Sequence, residues 1–152
     1  MEEVIQMYKC KYFKINELVH PDLLKQHGES RCWLFFDERL LRFIDWLREQ
    51  YGPIVINSAT LKNCGARPIG TTVGAGFSAH KLWRAFDCHI VNIEKKAKNK
   101  KEKANLYKEV RQRILKEKDW SFICFETTTE NKEAIWWLHV DTYNRPNREY
   151  NA

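Results

Sequence analysis

The sequence predicts an α+β fold: a small, mostly antiparallel sheet with helices packed on it. Three observations carry that expectation. Two segments, near 37–52 and 104–114, repeat apolar residues at helical spacing. Four short apolar runs of strand length lie between and after them. No internal repeat and no Pro/Ser/Gly linker interrupts the 152 residues, so a single domain covering 1–152 is expected.

The elements follow in order. Asn16 to His27 reads as a short helix or turn around Pro21. Asp37 is an N-cap residue type; Leu40, Leu41, Ile44 and Leu47 then keep a helical period that Gly52-Pro53 ends. Ile54-Val55-Ile56 reads as a short buried strand. Asn57 to Phe77, which includes Gly65, Gly70, Gly74 and Gly76, is too irregular for a helix or strand. Loops of about 20 residues inside a compact domain are usually functional. Arg84 to Ile90 reads as a strand, and Ala104, Tyr107, Val110 and Ile114 set a second long helix. Trp120–Glu126 and Ile135–Tyr143 read as two more strands, joined by polar residues 127–133.

Composition narrows the class. Hydrophobic residues make up 43% of the chain, with 6 Trp, 6 Tyr and 8 Phe, which excludes a disordered chain. No apolar stretch approaches the ~18 residues a membrane-spanning helix needs, so no membrane span is expected. Met1-Glu2-Glu3-Val4 is acidic and lacks the apolar core of a secretory signal, so synthesis in a cytoplasm without a leader is expected. The five cysteines (10, 32, 64, 88 and 124) are odd in number and form no C-x-x-C, which argues against a disulfide framework or a Cys-rich zinc finger.

Charge is uneven. Glu94 to Lys118 holds 11 of the 26 basic residues and 4 of the 20 acidic ones, a net of +7, while the rest of the chain is −1. The segment Lys95–Lys118 reads first as a solvated helix face. It could also draw a polyanion such as an anionic wall polymer. Aromatics are not interleaved in its densest part, Lys95 to Lys103, so nucleic acid is the weaker partner.

Side chains alternate faces along a strand. Ala85, Asp87 and His89 therefore share one face of their strand, and Phe86, Cys88 and Ile90 the other. Phe122, Cys124 and Glu126 share a face; so do Trp137, His139 and Asp141, opposite Trp136, Leu138 and Val140. His80 ends the Gly-rich loop. Two histidines and a carboxylate are good zinc donors, and a further carboxylate such as Glu126 could take a proton from water. Spacing by itself does not separate such a site from a hydrogen-bonded His–carboxylate pair. His89 reads as a core or supporting histidine, and His20 and His27 as solvent-facing.

The stretch Ser78-Ala79-His80-Lys81-Leu82-Trp83-Arg84-Ala85-Phe86-Asp87 resembles the S-x-H-x-x-G-x-A-x-D motif of the zinc D-Ala-D-Ala carboxypeptidase family of peptidoglycan peptidases. That family includes phage L-Ala–D-Glu endolysins and vancomycin-resistance D,D-dipeptidases, and the Hedgehog signalling domain shares its fold. Cys64-Gly65-Ala66-Arg67-Pro68 is similar to the family's S-G-x-R turn, and Trp137-Leu138-His139-Val140-Asp141 to its W-x-H-x-[DES] strand. The resemblance covers about residues 54–143.

The resemblance implies His80, Asp87 and His139 as ligands of Zn2+. It implies Arg67 as the group facing a substrate carboxylate, and Ser78 as a polar lining of the site, although Ser78 could equally cap the turn that follows it. Some members carry Glu three residues before the last histidine, but here that position is Trp136. Others place it at the end of the preceding strand, which Phe125-Glu126 matches. Glu126 is thus the expected base, with Asp141 and Glu133 behind it. Cys64 replaces the usual Ser, and Ala66 an aromatic or Leu. Trp83 stands where the family has Gly, so either the loop is reshaped or Trp83 forms a wall of the groove.

The implied activity is hydrolysis of peptide bonds in peptidoglycan stem peptides, with action on the cell wall after release and a phage or prophage source. Two alternatives are a catalytically silent metal-binding module of the cell wall and a basic nucleic-acid-binding module.

Overall fold

A computed structural model describes residues 7–74, 76 and 78–152; the acidic Met1–Val4 segment lies outside them. The architecture is α+β. Among the described residues there are five helices: α1 (Pro21–His27), α2 (Glu29–Phe35), α3 (Glu38–Tyr51), α4 (Val91–Lys96) and α5 (Lys100–Leu115). Five strands, β1 (Ile54–Val55), β2 (Ala85–Ile90), β3 (Cys124–Thr128), β4 (Leu138–Asp141) and β5 (Glu149–Asn151), form one mixed sheet in the order β1-β2-β4-β3-β5. All neighbours are antiparallel except β3 and β5. No described helix is long and apolar enough to cross a membrane.

The best-specified helix is α3. The Asp37 carboxylate accepts the Arg39 N–H at 3.0 Å, which satisfies one of the open donors at the helix start. Gly52 ends it at φ +79°, a backbone state that glycine enters without penalty. Leu40, Leu41, Phe43, Ile44 and Leu47 are all buried. They join Tyr107, Val110 and Ile114 of α5 and Phe86, Phe125 and Val140 of the sheet in one hydrophobic cluster. Phe86 pairs with Val140, which pairs with Phe125, so the apolar faces of three strands line up across the sheet. The Tyr107 hydroxyl is satisfied inside this core: it accepts the Ile90 N–H and donates to Glu94, each at 2.9 Å.

Several elements depart from the expectation. Trp120 is not in a strand. Lys118–Trp120 is a 3-10 turn whose Trp120 ring packs on Phe43 and Trp46 of α3. The last long strand begins at Leu138 rather than Ile135; Trp136 and Trp137, edge-to-face to each other, lie in the irregular stretch between the Thr128–Ala134 bridge and that strand. Helices α2 and α4 and strand β5 were not foreseen. His20 is only partly exposed and caps α1, its Nδ1 accepting the Asp22 N–H at 3.1 Å. His27 is half-buried and lies edge-on to Phe35 and Trp83.

Trp83 does not line the cleft beside His80. It adopts φ +61°, the left-handed region, and its ring packs on Phe35 and Phe36 with centroids 5.2 and 5.0 Å away. The loop thus keeps a backbone state suited to glycine, and the indole anchors it to α2 rather than lining a groove. Left-handed backbone costs an L-residue roughly 1–2 kcal/mol. The aromatic packing outweighs that, so Trp83→Gly is expected to lose about 1–3 kcal/mol in urea unfolding while leaving metal binding intact.

Candidate metal centre

The polar face of the sheet carries the site. Asp87 of β2 stands directly opposite His139 of β4 in the antiparallel register. Asp87 Oδ1 lies 2.9 Å from His139 Nδ1, and Asp87 Oδ2 lies 3.3 Å from His80 Nε2. All three side chains are buried, and their ligand-type atoms lie within 4.8 Å of one another. Together they could hold a metal ion.

His80 is placed by the loop that precedes β2. The Asn57 carboxamide accepts the N–H groups of Cys64 and Gly65 at 3.0 and 3.1 Å. Asp87 N–H donates to the Cys64 carbonyl at 2.8 Å, and Ala66 N–H to the Leu18 carbonyl at 2.9 Å. This holds the Gly65 carbonyl 3.0 Å from His80 Nδ1. A carbonyl only accepts, so Nδ1 carries the proton and Nε2 keeps its lone pair. Burial lowers the His80 pKa despite the Asp87 charge, which keeps the ring neutral. A bare Nε2 therefore faces a carboxylate oxygen. Two acceptors this close are stable with a cation or proton between them, and that fits a metal.

Gly65 is what allows the approach. A Cβ there would meet the Leu18 carbonyl oxygen at 1.9 Å. Gly65→Ala must push backbone against backbone. The expected loss is about 3 kcal/mol, at the upper end of overpacking effects. Its displaced carbonyl should also weaken metal affinity by ~10–100-fold, measurable by competition with a chelator.

His139 is held from the far side. Its Nε2 lies 3.0 Å from Asp141 Oδ2 and 2.8 Å from the Tyr150 hydroxyl, which itself donates to Asp141. Arg145 Nε donates to the same Asp141 oxygen at 3.3 Å, and its guanidinium lies over the Tyr150 ring at 3.7 Å. Carboxylate support of this kind fixes the ring and leaves Nδ1 for the site. Burial alone would lower the His139 pKa, but the bonds to Asp141 and Asp87 outweigh it and push it up to about 10. Burial likewise works against ionised Asp87, yet the protonated His139 hydrogen-bonded to its Oδ1 holds it well below the usual carboxylate range.

Glu126 on β3 enters the same space, with Oε2 3.9 Å from His139 Nδ1. Its side chain remains 23% exposed, and burial raises its pKa above that of an ordinary glutamate. Arg67 lies beside the cluster: Nη2 donates to Asp87 Oδ2 at 3.4 Å and Nε to the Asn63 carbonyl at 2.6 Å. Ser78 Oγ accepts the His80 N–H at 3.3 Å, the capping role. Both residues also line a cleft of about 570 Å³ together with Glu126, Trp136, Trp137 and Tyr143.

The other candidates fall elsewhere. Asp141 is fully buried behind His139, which makes it a support rather than a base. Glu133 lines the cleft but pairs with Lys100 at 3.2 Å. His89 sits apart, 3.4 Å from Glu94 and 3.9 Å from the Cys64 thiol. The sequence reading missed Tyr150 and Arg145 entirely. Tyr150 sits in a three-residue strand with no alternation to find it by, and Arg145 lies in an irregular turn.

Comparison with protein-family models, curated proteins and solved structures finds no match for this chain.

Proposed function

We propose that this protein is a zinc-dependent peptidase that hydrolyses peptide bonds in bacterial peptidoglycan stem peptides, with a Hedgehog/D-Ala-D-Ala peptidase-like arrangement of its sheet. The observation that carries the reading is one cleft holding His80, Asp87 and His139 with Glu126 beside them and Arg67 at the wall. The resemblance of residues 64–68, 78–87 and 137–141 to the peptidase motifs supplies the substrate class.

Two neutral imidazoles and a carboxylate are a hydrolytic zinc set, and the ion would supply Lewis acidity toward a carbonyl and a more acidic water. Glu126 takes the proton from the attacking water and returns it to the leaving amine. Its raised pKa brings it nearer the operating pH, where a base that must later act as an acid is most effective. Arg67 keeps donors beyond its two internal bonds for a substrate carboxylate, which would fix the peptide relative to the bond that breaks. Trp136 and Trp137 provide flat walls for the peptide.

With its pKa pushed up to about 10, His139 is expected to hold a proton on each ring nitrogen at neutral pH before an ion binds, and a ligand must give up the one on Nδ1. Metal uptake is therefore expected to release about one proton per chain and to strengthen as pH rises toward 10. Calorimetry in buffers of different ionisation enthalpy measures that proton.

The test of function is digestion of purified peptidoglycan, with mass spectrometry of the released fragments and new amine termini. Cleavage that stops with a chelator and returns with zinc supports the reading. Zinc binding with intact peptidoglycan would instead make the chain a silent binding module.

A further inference from the structure

The basic segment 94–118 is mostly what it was expected to be, a solvated surface: most of its lysines are exposed along α4 and α5. Arg111 breaks the pattern. It is 4% exposed, the one buried charged residue of that segment. Its Nε and Nη1 are shielded from solvent and have no hydrogen-bond partner among the described residues. The nearest carboxylate, Glu149 Oε1, stands 3.9 Å from Nε, beyond hydrogen-bond reach. Buried guanidinium groups are normally paired, because removing the charge from water is unfavourable without compensation.

Arg111 lines a cavity of about 750 Å³ on the α5 side of β3 and β5, next to Lys108, Lys132 and Glu149. Three cations thus face one carboxylate, an excess of two positive charges. Thr127, Thr128 and Asn151 complete a polar wall. Lys132 is delivered by a left-handed turn residue at the tip of the β3–β4 connection, with φ +61°.

We propose that this cavity is an anion-binding site, separate from the metal cluster, in which Arg111 with Lys108 and Lys132 holds a phosphate monoester group. The charge excess matches that ligand, since a phosphate monoester carries about −1.5 to −2 at pH 7, whereas a carboxylate or a phosphodiester carries −1. Once Glu149 moves off its edge, the planar guanidinium can offer such an anion two parallel bonds, and the lysines add point charges. Glu149, half-exposed at 44%, stands near the guanidinium as a competing anion that must swing aside.

The experiment is thermal unfolding and calorimetry of the full chain, with chelator present, at constant ionic strength. The probes are inorganic phosphate, glycerol 3-phosphate, a poly(glycerol phosphate) diester and acetate. Saturable stabilisation by phosphate and the monoester, at least tenfold tighter than by acetate or the diester, is expected. Arg111→Met should abolish the saturable response, and Glu149→Gln should tighten it several-fold. Should Arg111→Met fail to fold, Lys108→Gln/Lys132→Gln serves in its place and should weaken binding at least tenfold. A preference for the diester polymer would overturn the monoester assignment. Equal response to all four probes, an adventitious ion effect only, would overturn the site. So would loss of stability in Glu149→Gln with no phosphate response, because Arg111 and Glu149 would then be a structural pair.

Discussion

Replacing His80 with alanine is expected to abolish metal binding. Protein prepared without added metal or a metal-binding tag should carry about one zinc per chain, and the variant none, by elemental analysis. The expectation rests on His80 Nε2 facing Asp87 Oδ2 at 3.3 Å with its other nitrogen tied to the Gly65 carbonyl. The variant keeps Asp87 and His139 but loses one of three donors. Outer partners of a ligand typically change affinity ~10–100-fold, so loss of a ligand itself should exceed ~100-fold. The substitution also leaves the Gly65 carbonyl without its imidazole, so folding must be checked alongside by circular dichroism. A folded variant that retains full zinc content would remove His80 from the site.

The second large effect is on turnover. Glu126→Gln preserves shape and removes the proton acceptor. Its expected loss is ~10²–10⁴-fold in kcat on peptidoglycan, the usual range for general acid–base catalysis. Zinc content should stay near one per chain, because the binding cluster is His80, Asp87 and His139, with Glu126 3.9 Å from His139 Nδ1. The KM should move far less than kcat, since the proton transfer belongs to the transition state. If zinc is lost along with activity, Glu126 is a ligand and not the base. If activity survives, the base is another group in the cleft.

Strand alternation made the placement of Asp87 and His139 legible, whereas His80, on a loop, was joined to them only through the motif resemblance. Asp87 and His139 each sit on a strand whose other face is wholly apolar, and the observed register sets them opposite each other. Helix α3 was legible for a similar reason: Asp37, a clean apolar period and Gly52 agree on its limits. Helix α2 was not. It has no side-chain cap, it is only seven residues long, and Leu34 and Phe35 are exposed beside buried Cys32 and Trp33, so no helical period emerges. The place of Trp83 was not legible because Phe35 and Phe36, which hold its indole, belong to α2 and its C-terminal end, an element without a sequence signal. Arg111 was hidden differently. Its position in a basic run gave no sign that α5 turns it inward, toward the sheet.

Strand β5 also bears on how the molecule is made. His80, Asp87 and His139, which could hold the ion, and Glu126 all precede Tyr150 in the chain. Pairing of β2 with β4 already joins residues 52 positions apart, a slow step set by chain closure. The parallel pairing of β5 with β3 brings Tyr150 onto the outer side of His139. Until it docks, the edges of His139 and Asp141 that Tyr150 will cover stand open to water. Docking of β5 therefore closes the outer side of His139, and a chain whose last strand is undocked offers an arriving ion a wider entrance than the finished molecule does.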